Sequence, residues 1–234
     1  MGYGIYTATA GAVARQHQLE VTSNNLANAD TDGFRAQVVG FSEALADAEA
    51  PNRKMVAIGR TFTSARPGSL KTTNNPMDLS IQGQGFFVVG EDGFLSRSLT
   101  LQVSSRGRLQ DTQGRDVMGE TGPIEVDPTQ SLRIDNRGRV LQGGLEIDRI
   151  RTVGVVSEMG LQPAGLGVLQ VTQESGRAVA MESHVVSGAI ESSNVNSLES
   201  MVQLIQLQRD YQSLTRAIQS YREADESLIE TARG

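Results

Sequence analysis

The chain is 234 residues long, which is enough for one large domain or two small ones with a sizeable core. Its lack of cysteine excludes disulfides, thiolate metal sites and cysteine nucleophiles. Its formal net charge of −6 and its aromatic content of 4% argue against a nucleic-acid binder, which would need basic and stacking side chains.

Residues that break secondary structure are concentrated in the middle of the chain. Of the 25 glycines, 17 lie between Gly83 and Gly188, and all 6 prolines lie between Pro51 and Pro163. Glycine and proline favour turns and interrupt helices. The composition therefore predicts an α+β protein with a helix at each end and a turn-rich β-structure between them.

The N-terminal stretch has the spacing of a helix. Apolar side chains recur every seven residues, at Ile5, Ala12, Leu19 and Leu26. We expect this helix to end near Asn28, because residues 29–33 are rich in turn formers. Its many alanines would allow another helix to approach closely. The first residues lack the basic region and the apolar run of a Sec-type signal peptide, so we expect none.

Residues 42–78 predict an extended connector. They are polar and mixed, and they contain Pro51, Pro67 and Pro76. We therefore expect them to join an N-terminal helical segment, residues 1–41, to a β-rich domain at residues 79–188. No apolar run in the chain reaches the roughly 18 residues that a membrane-spanning helix needs, so we expect no membrane insertion.

The centre has the pattern of antiparallel strands. Apolar and polar residues alternate over residues 79–82, and Phe86–Val89 is an apolar run typical of a strand buried on both faces. Residues 91–93 predict a hairpin turn. Alternation predicts further strands around residues 99–103, 124–126, 132–134, 145–147 and 153–155. The similar stretches Arg106–Leu109 and Arg137–Val140 predict two equivalent tight turns, each entering a strand.

The C-terminal segment, residues 189–234, contains the clearest helical pattern, from Asn196 to Thr231. Large apolar side chains follow mostly at intervals of three and four residues, at Leu204, Leu207, Tyr211, Leu214, Ile218, Tyr221 and Leu228. A mean spacing of about 3.5 residues is typical of a coiled-coil seam. We therefore expect the N- and C-terminal helices to pair as a coiled coil.

We find no catalytic, cofactor-binding or metal-binding pattern. The aspartates of the centre mostly lie within three residues of glycine or proline, where turn residues are common. His17 and His184 are too far apart in the sequence for a typical zinc site. Gly83–Gly85 precedes a strand, whereas a phosphate-binding loop precedes a helix. The sequence therefore predicts a protein that is not an enzyme and has no cofactor.

Seven short sequence motifs follow one another along the chain in an order that is typical of one protein family. They are Asn24–Asn28, Thr31–Arg35, Asn75–Ile81, Gly83–Val89, Gly107–Leu109, Glu191–Asn196 and Met201–Tyr211. Together they resemble the bacterial flagellar axial proteins of the rod and hook class, over nearly the whole chain. The short length and residues 33–37 favour a proximal-rod member of that family over a distal-rod member. Residues 95–100 depart from the family, which commonly has an aromatic-Thr-Arg-Asn-Gly stretch there.

The resemblance implies a structural subunit of the flagellar basal-body rod. Such proteins leave the cytoplasm through the flagellar type III export apparatus. They then polymerise in the periplasm, with copies of themselves and with sibling rod proteins, into the shaft that transmits torque. The alternatives are a distal-rod or hook protein of the same family or, from another class, a secreted β-domain enzyme or glycan-binding protein with helical oligomerisation tails.

We expect the two helical ends to be assembly segments, because one alanine-rich helix cannot cover so large an apolar stripe and neighbouring copies can bury the rest. The expected N-terminal assembly residues are Asn24, Asn25, Leu26, Asn28, Gly33 and Phe34. The expected C-terminal ones are the apolar helix residues named above, together with Asn194 and Asn196. For the N-terminal asparagines, helix capping and contacts between subunits are equally open. For Asn194 and Asn196, capping is favoured.

Overall fold

The computed structural model describes Gly2–Leu45 and Lys54–Arg233, with side chains described for residues 4–40 and 60–227. The chain forms two compact units. The first contains Met1–Ala27, Gln37–Thr61 and Asn196–Gly234, and the second contains Asn28–Ala36 and Phe62–Val195. The architecture is α+β, as predicted, with a helix at each end and antiparallel sheets in the centre.

The first unit holds the two long helices and a ribbon. Helix α1 is Gly2–Ala27 and helix α2 is Ser197–Arg233, so the end of α1 and both ends of α2 lie within two residues of the predicted positions. The two helices pack against each other. Strand β1 (Gln37–Leu45) pairs with strand β2 (Lys54–Thr63) in a two-stranded sheet.

Residues 42–78, expected as a connector, contain regular structure in their described part. The end of β1, all of β2 and the short strand β3 (Leu70–Thr72) lie there. The sequence did not predict the ribbon because Gln37–Leu45 lacks strict alternation, and because prolines surround the stretch. Pro67 and Pro76 fall outside the three strands, where a missing amide hydrogen costs no ladder hydrogen bond, and Pro51 lies outside the described residues.

The second unit is built from short strands. Those on which the site depends are β4 (Asp78–Gln82), β5 (Phe86–Val89), β6 (Phe94–Ser96) and β7 (Ser98–Thr100). The next are β8 (Gln102–Val103), β9 (Leu109–Gln110), β10 (Leu132–Ile134), β11 (Arg139–Gln142), β12 (Leu145–Arg149) and β13 (Thr152–Gly154). The last are β14 (Gln162–Pro163), β15 (Val168–Gln170), β16 (Val179–Ala180), β17 (His184–Ser187) and β18 (Ala189–Glu191).

Strand β5 separates two apolar cores. It lies inside a six-stranded sheet of order β14-β15-β6-β5-β13-β16, and all four of its residues are buried, as predicted. Phe87 and Val89 belong to one hydrophobic cluster, and Phe86 and Val88 belong to the other. Because successive side chains of a strand point to opposite faces, this single apolar run fills both cores.

The two predicted equivalent turns, at Arg106–Leu109 and Arg137–Val140, share their backbone hydrogen bonds. The Ser104 amide donates to the Arg108 carbonyl at 2.8 Å, as the Asp135 amide donates to the Arg139 carbonyl at 3.1 Å. A further turn, which begins at Asp111 and was not among the two predicted, repeats the side-chain hydrogen bonds of the turn at Asp135. Asp111 Oδ1 accepts from the amides of Gln113 and Arg115, both at 2.9 Å. Asp135 Oδ1 accepts from the amides of Arg137 and Arg139, also at 2.9 Å. In each turn the second carboxylate oxygen binds the Nε of the arginine four residues on, at 2.6 Å for Arg115 and 2.7 Å for Arg139.

Candidate assembly surface

Helices α1 and α2 run antiparallel in constant register. Gly4 lies against the ring of Tyr221, and Gly11 lies against the side chain of Leu214. Four residues further along α1, Arg15 Nε forms an ion pair with Asp210 Oδ2 at 3.3 Å. Each step of seven or four residues along α1 therefore matches an equal step back along α2. This packing places apolar residues every seven positions in one seam.

Small residues of α1 let the large residues of α2 approach. A Cβ atom at Gly4 would lie 2.9 Å from Tyr221 Cζ, so the ring occupies the space that a side chain would need. Ala8 and Ala12 are buried. Of the predicted seam residues, Leu207 is buried, Tyr221 is 42% exposed, and an intermediate exposure is found for Leu204, Tyr211, Leu214 and Ile218. Leu228 lies within α2, but its side chain is outside the described residues.

A second apolar stripe of α2 lies on the opposite side of that helix. It consists of the exposed residues Leu198, Met201, Val202 and Ile205, which we call the outward stripe. On a helix with about 3.6 residues per turn, these positions point roughly 180° away from Leu207, Leu214 and Tyr221. Sequence reasoning missed the outward stripe, although its spacing of three, four and seven residues is visible.

Helix α1 also has apolar side chains away from the seam. Tyr6 is 71% exposed and Val13 is 48% exposed. They are seven residues apart, and their angular position lies about 170° from the Gly4 and Gly11 side. Both helices of the unit therefore present apolar groups on the faces that they do not use for each other.

The asparagines at the end of α1 have local partners. Asn25 Nδ2 donates to the Gln37 carbonyl at 2.8 Å, and Asn25 Oδ1 accepts from the Gln37 amide at 2.8 Å. The carbonyl of Asn28 accepts from the Thr31 amide at 3.2 Å, in the turn that follows α1. Asn24 is exposed and Leu26 has an intermediate exposure.

Gly33 and Phe34 lie in the second unit and hold the chain leaving α1. The Gly33 amide donates to the Glu191 carbonyl at 2.6 Å, and its φ of 71° is one that glycine adopts without strain. Phe34 is buried, so its ring anchors this segment. Among the predicted assembly residues, these two are placed for internal packing.

Asn194 and Asn196 form hydrogen bonds in different parts of the structure. Asn194 Oδ1 accepts from the Ala36 amide and its Nδ2 donates to the Arg66 carbonyl, both at 2.7 Å. Asn196 Oδ1 accepts from the Glu199 amide at 3.2 Å, three residues into α2. Asn196 is therefore a helix N-cap, and Asn194 ties together backbone segments of the second unit.

A buried ion triad that sequence reasoning missed lies in the second unit. Glu191 is 2% exposed, and it binds Arg97 Nε at 2.9 Å and Arg35 Nη2 at 3.2 Å. Arg97 also donates to the carbonyls of Gly85 and Ile81, at 2.5 and 2.9 Å. Burial lowers the pKa of the Arg35 guanidinium, and the charge of Glu191 opposes this. One carboxylate thus joins the segment after α1, the sheet and the segment before α2.

The described residues contain no group of three or more His, Cys, Asp or Glu side chains that could hold a metal ion. Neither of the described α-helices combines the length and apolar character that crossing a membrane requires. His17 Nε2 lies 3.1 Å from Thr61 Oγ1, and His184 is exposed in β17.

Two protein-family profiles match the ends of the chain. The profile described as flagella basal body rod protein covers residues 5–35, and the profile described as flagellar basal body rod FlgEFG protein C-terminal covers residues 186–231.

Curated relatives match nearly the full length. The flagellar basal-body rod protein FlgF of Escherichia coli K12 is 30% identical, over 94% of each chain. The FlgF protein of Salmonella typhimurium LT2 is 32% identical, also over 94% of each chain. The flagellar basal-body rod protein FlgG of Buchnera aphidicola subsp. Schizaphis graminum is 28% identical, over 92% of this chain and 94% of its own. These matches confirm the predicted family: the chain belongs to the flagellar basal-body rod proteins.

Proposed function

We propose that this chain is a structural subunit that polymerises through its terminal helices into the torque-transmitting shaft of the flagellar basal body. The observation that carries the proposal is the outward stripe of α2. Four large apolar side chains lie exposed on the face turned away from α1. A stripe of this kind is costly in water and marks a surface that another helix covers.

The energetics favour burial by neighbouring subunits. Fully burying one Leu, Ile, Val or Met side chain contributes about 1.5–3 kcal/mol. The outward stripe alone therefore offers several kcal/mol, before the cost of ordering the partners. A repeated contact between different faces of identical subunits builds a helical filament when its rotation does not close into a ring. Copies of this chain and sibling rod proteins are the proposed partners.

Coiled-coil pairing of α1 and α2 is the second part of the proposal. The constant antiparallel register and the heptad-spaced contacts Gly4 to Tyr221 and Gly11 to Leu214 support it. We propose residues 1–41 and 189–234 as assembly segments, joined through residues 42–78 to the β-rich body at 79–188. Asn24, Asn25, Leu26 and Asn28 would serve assembly indirectly, by fixing where α1 ends.

The third part of the proposal is the route by which the chain is exported. A subunit of the rod has to reach the periplasm, and we propose the flagellar type III apparatus as its route. Chains that pass such a narrow channel travel unfolded, so the helices would order fully only when they join the growing shaft. This is coupled folding and binding, in which contacts between subunits supply the ordering energy.

A matched pair of triple variants tests the proposal. The first is Leu198→Ser with Val202→Ser and Ile205→Ser, which removes three of the four apolar side chains of the outward stripe and leaves the α1 seam intact. The control is Gln203→Ser with Gln206→Ser and Gln208→Ser, which changes exposed polar positions of the same helix. We expect the first variant to be secreted yet to form no rods and no swimming cells, while the control swims normally. Normal rods from the first variant would contradict the proposal, because they would show that polymerisation does not depend on the outward stripe.

A further inference from the structure

The apolar side chains on the outward faces of α1 and α2 have the same seven-residue spacing. We propose that the outward face of α1 in one copy packs against the outward stripe of α2 in a second copy. In this contact Tyr6 lies beside Ile205, and Val13 lies beside Leu198. The inference rests on the proposed function and specifies which surfaces of two copies meet.

The two faces have the same length. Tyr6 and Val13 are seven residues apart, and so are Leu198 and Ile205. Residues seven apart lie at nearly the same angle on a helix, about 10.5 Å apart along its axis. Each apolar face is therefore two turns long, and large side chains are available on both sides of the contact.

The polar residues beyond each face restrict the register. One heptad after Val13, the outward position of α1 is the exposed Glu20. One heptad after Ile205, the outward position of α2 is the exposed Gln212. Sliding the helices by seven residues in one direction would set Tyr6 against Gln212 and Leu198 against Glu20. Sliding them in the other direction would leave Val13 and Ile205 without an apolar partner.

The relative direction of the two helices in the proposed contact follows from their relative direction within one copy. Helices α1 and α2 are antiparallel, so in a polymer whose copies share one orientation α1 is also antiparallel to its neighbour's α2. Within a copy Gly4 lies level with Tyr221, which sets Tyr6 level with Gln219. Across copies Tyr6 lies level with Ile205, 14 residues from Gln219. Neighbouring copies are thus staggered by about 21 Å along the helix axis.

Disulfide trapping tests this register directly, because the chain contains no cysteine of its own. Cells would produce the Tyr6→Cys/Ile205→Cys variant as their only copy, and isolated basal bodies would be oxidised and analysed without reductant. A disulfide requires Cα atoms roughly 4.4–6.8 Å apart. The two positions of a single chain lie on opposite faces and about 21 Å apart along the axis, so every bond joins two chains. We expect bands at multiples of the chain mass.

Control variants distinguish an error in the proposed register from an error in the proposed assembly. Tyr6→Cys/Gln212→Cys places cysteines on the same faces but one heptad out of register, and we expect it to stay monomeric. Multiples from this pair, or none from the matched pair in rods that support swimming, would overturn the inferred contact and leave the proposed function standing. Dimers from Ile205→Cys alone would indicate a two-fold contact and would also overturn it. Normal rods without the outward stripe would instead show that polymerisation does not use this stripe, and would overturn both the proposed mode of assembly and the contact that rests on it.

Discussion

Asn25 pairs with both backbone groups of Gln37, as a neighbouring strand would, through two hydrogen bonds of 2.8 Å. The side chain thereby fixes the start of β1 against the last turn of α1. A carboxamide suits this role because it offers a donor and an acceptor in one plane.

We expect Asn25→Ala to loosen the ribbon without unfolding the chain. Removing the side chain leaves the amide and the carbonyl of Gln37 without these partners, at a cost of about 1–3 kcal/mol. Hydrogen exchange of the amides in β1 should then become faster. Ser23→Ala, at an exposed position two residues earlier in the same helix, is the control and should change nothing. Unchanged exchange in Asn25→Ala would show that Asn25 does not hold the ribbon.

The buried triad predicts a large loss of stability in Glu191→Gln. The substitution leaves Arg35 and Arg97, which are 3% and 2% exposed, without their shared counter-charge. Breaking a buried ion pair by removing one partner typically costs about 3–5 kcal/mol. Urea unfolding measures this cost. Glu182→Gln, which removes an exposed partner of Arg149, should change the unfolding free energy by less than about 1 kcal/mol. Equal effects of the two substitutions would contradict the assigned role of the triad.

The turn at Asp135 predicts a dependence of stability on pH. Burial pushes the pKa of this carboxyl up, but hydrogen bonds from the Arg139 and Arg137 amides and from the Arg139 guanidinium outweigh burial and hold the pKa below its usual 3.8. A carboxyl with a lowered folded-state pKa stabilises the fold above its unfolded pKa, and this contribution is lost as the pH falls through the folded value. The stability difference between the wild type and Asp135→Asn should therefore be full at pH 7 and should shrink below 3.8. A difference that is constant with pH would contradict this assignment.

The seam predicts opposite responses at two glycines of α1. A Cβ atom at Gly11 would sit 3.5 Å from Leu214 Cδ1, which is ordinary contact, whereas one at Gly4 would sit 2.9 Å from Tyr221. Gly11→Ala should therefore stabilise the unit by up to about 1 kcal/mol through helix propensity. In Gly4→Ala, displacement of the ring should offset that gain. Thermal unfolding compares the two variants, and equal stabilisation by both would show that the seam is looser than described.

Regular patterns account for the parts of the fold that the sequence predicted. Apolar spacing identified α1 and α2, turn-forming residues marked the end of α1, and the run at Phe86–Val89 identified a strand buried on both faces. These predictions succeed because each pattern arises within one element. The ribbon was not predicted, since its strands lie beside prolines and its position depends on Asn25, which pairs with Gln37 across the chain.

The candidate assembly surface was predicted only in part. The sequence indicated the stripe from Leu204 to Leu228. The outward stripe at Leu198–Ile205 was missed because the stripe from Leu204 already accounted for the amphipathic pattern of the helix. The triad could not be predicted, because Arg35, Arg97 and Glu191 are distant in sequence and only the folded β-structure brings them together. Local periodicity carries no information about such contacts.

Hydrogen–deuterium exchange of the free monomer and of assembled rods tests the central claim most directly. The claim is that the helices are completed by neighbouring copies. We therefore expect the amides of α1 and α2 to exchange readily in the monomer and to be strongly protected in rods, with the largest change around Leu198–Ile205. Equal protection of both helices in the two states would contradict the account.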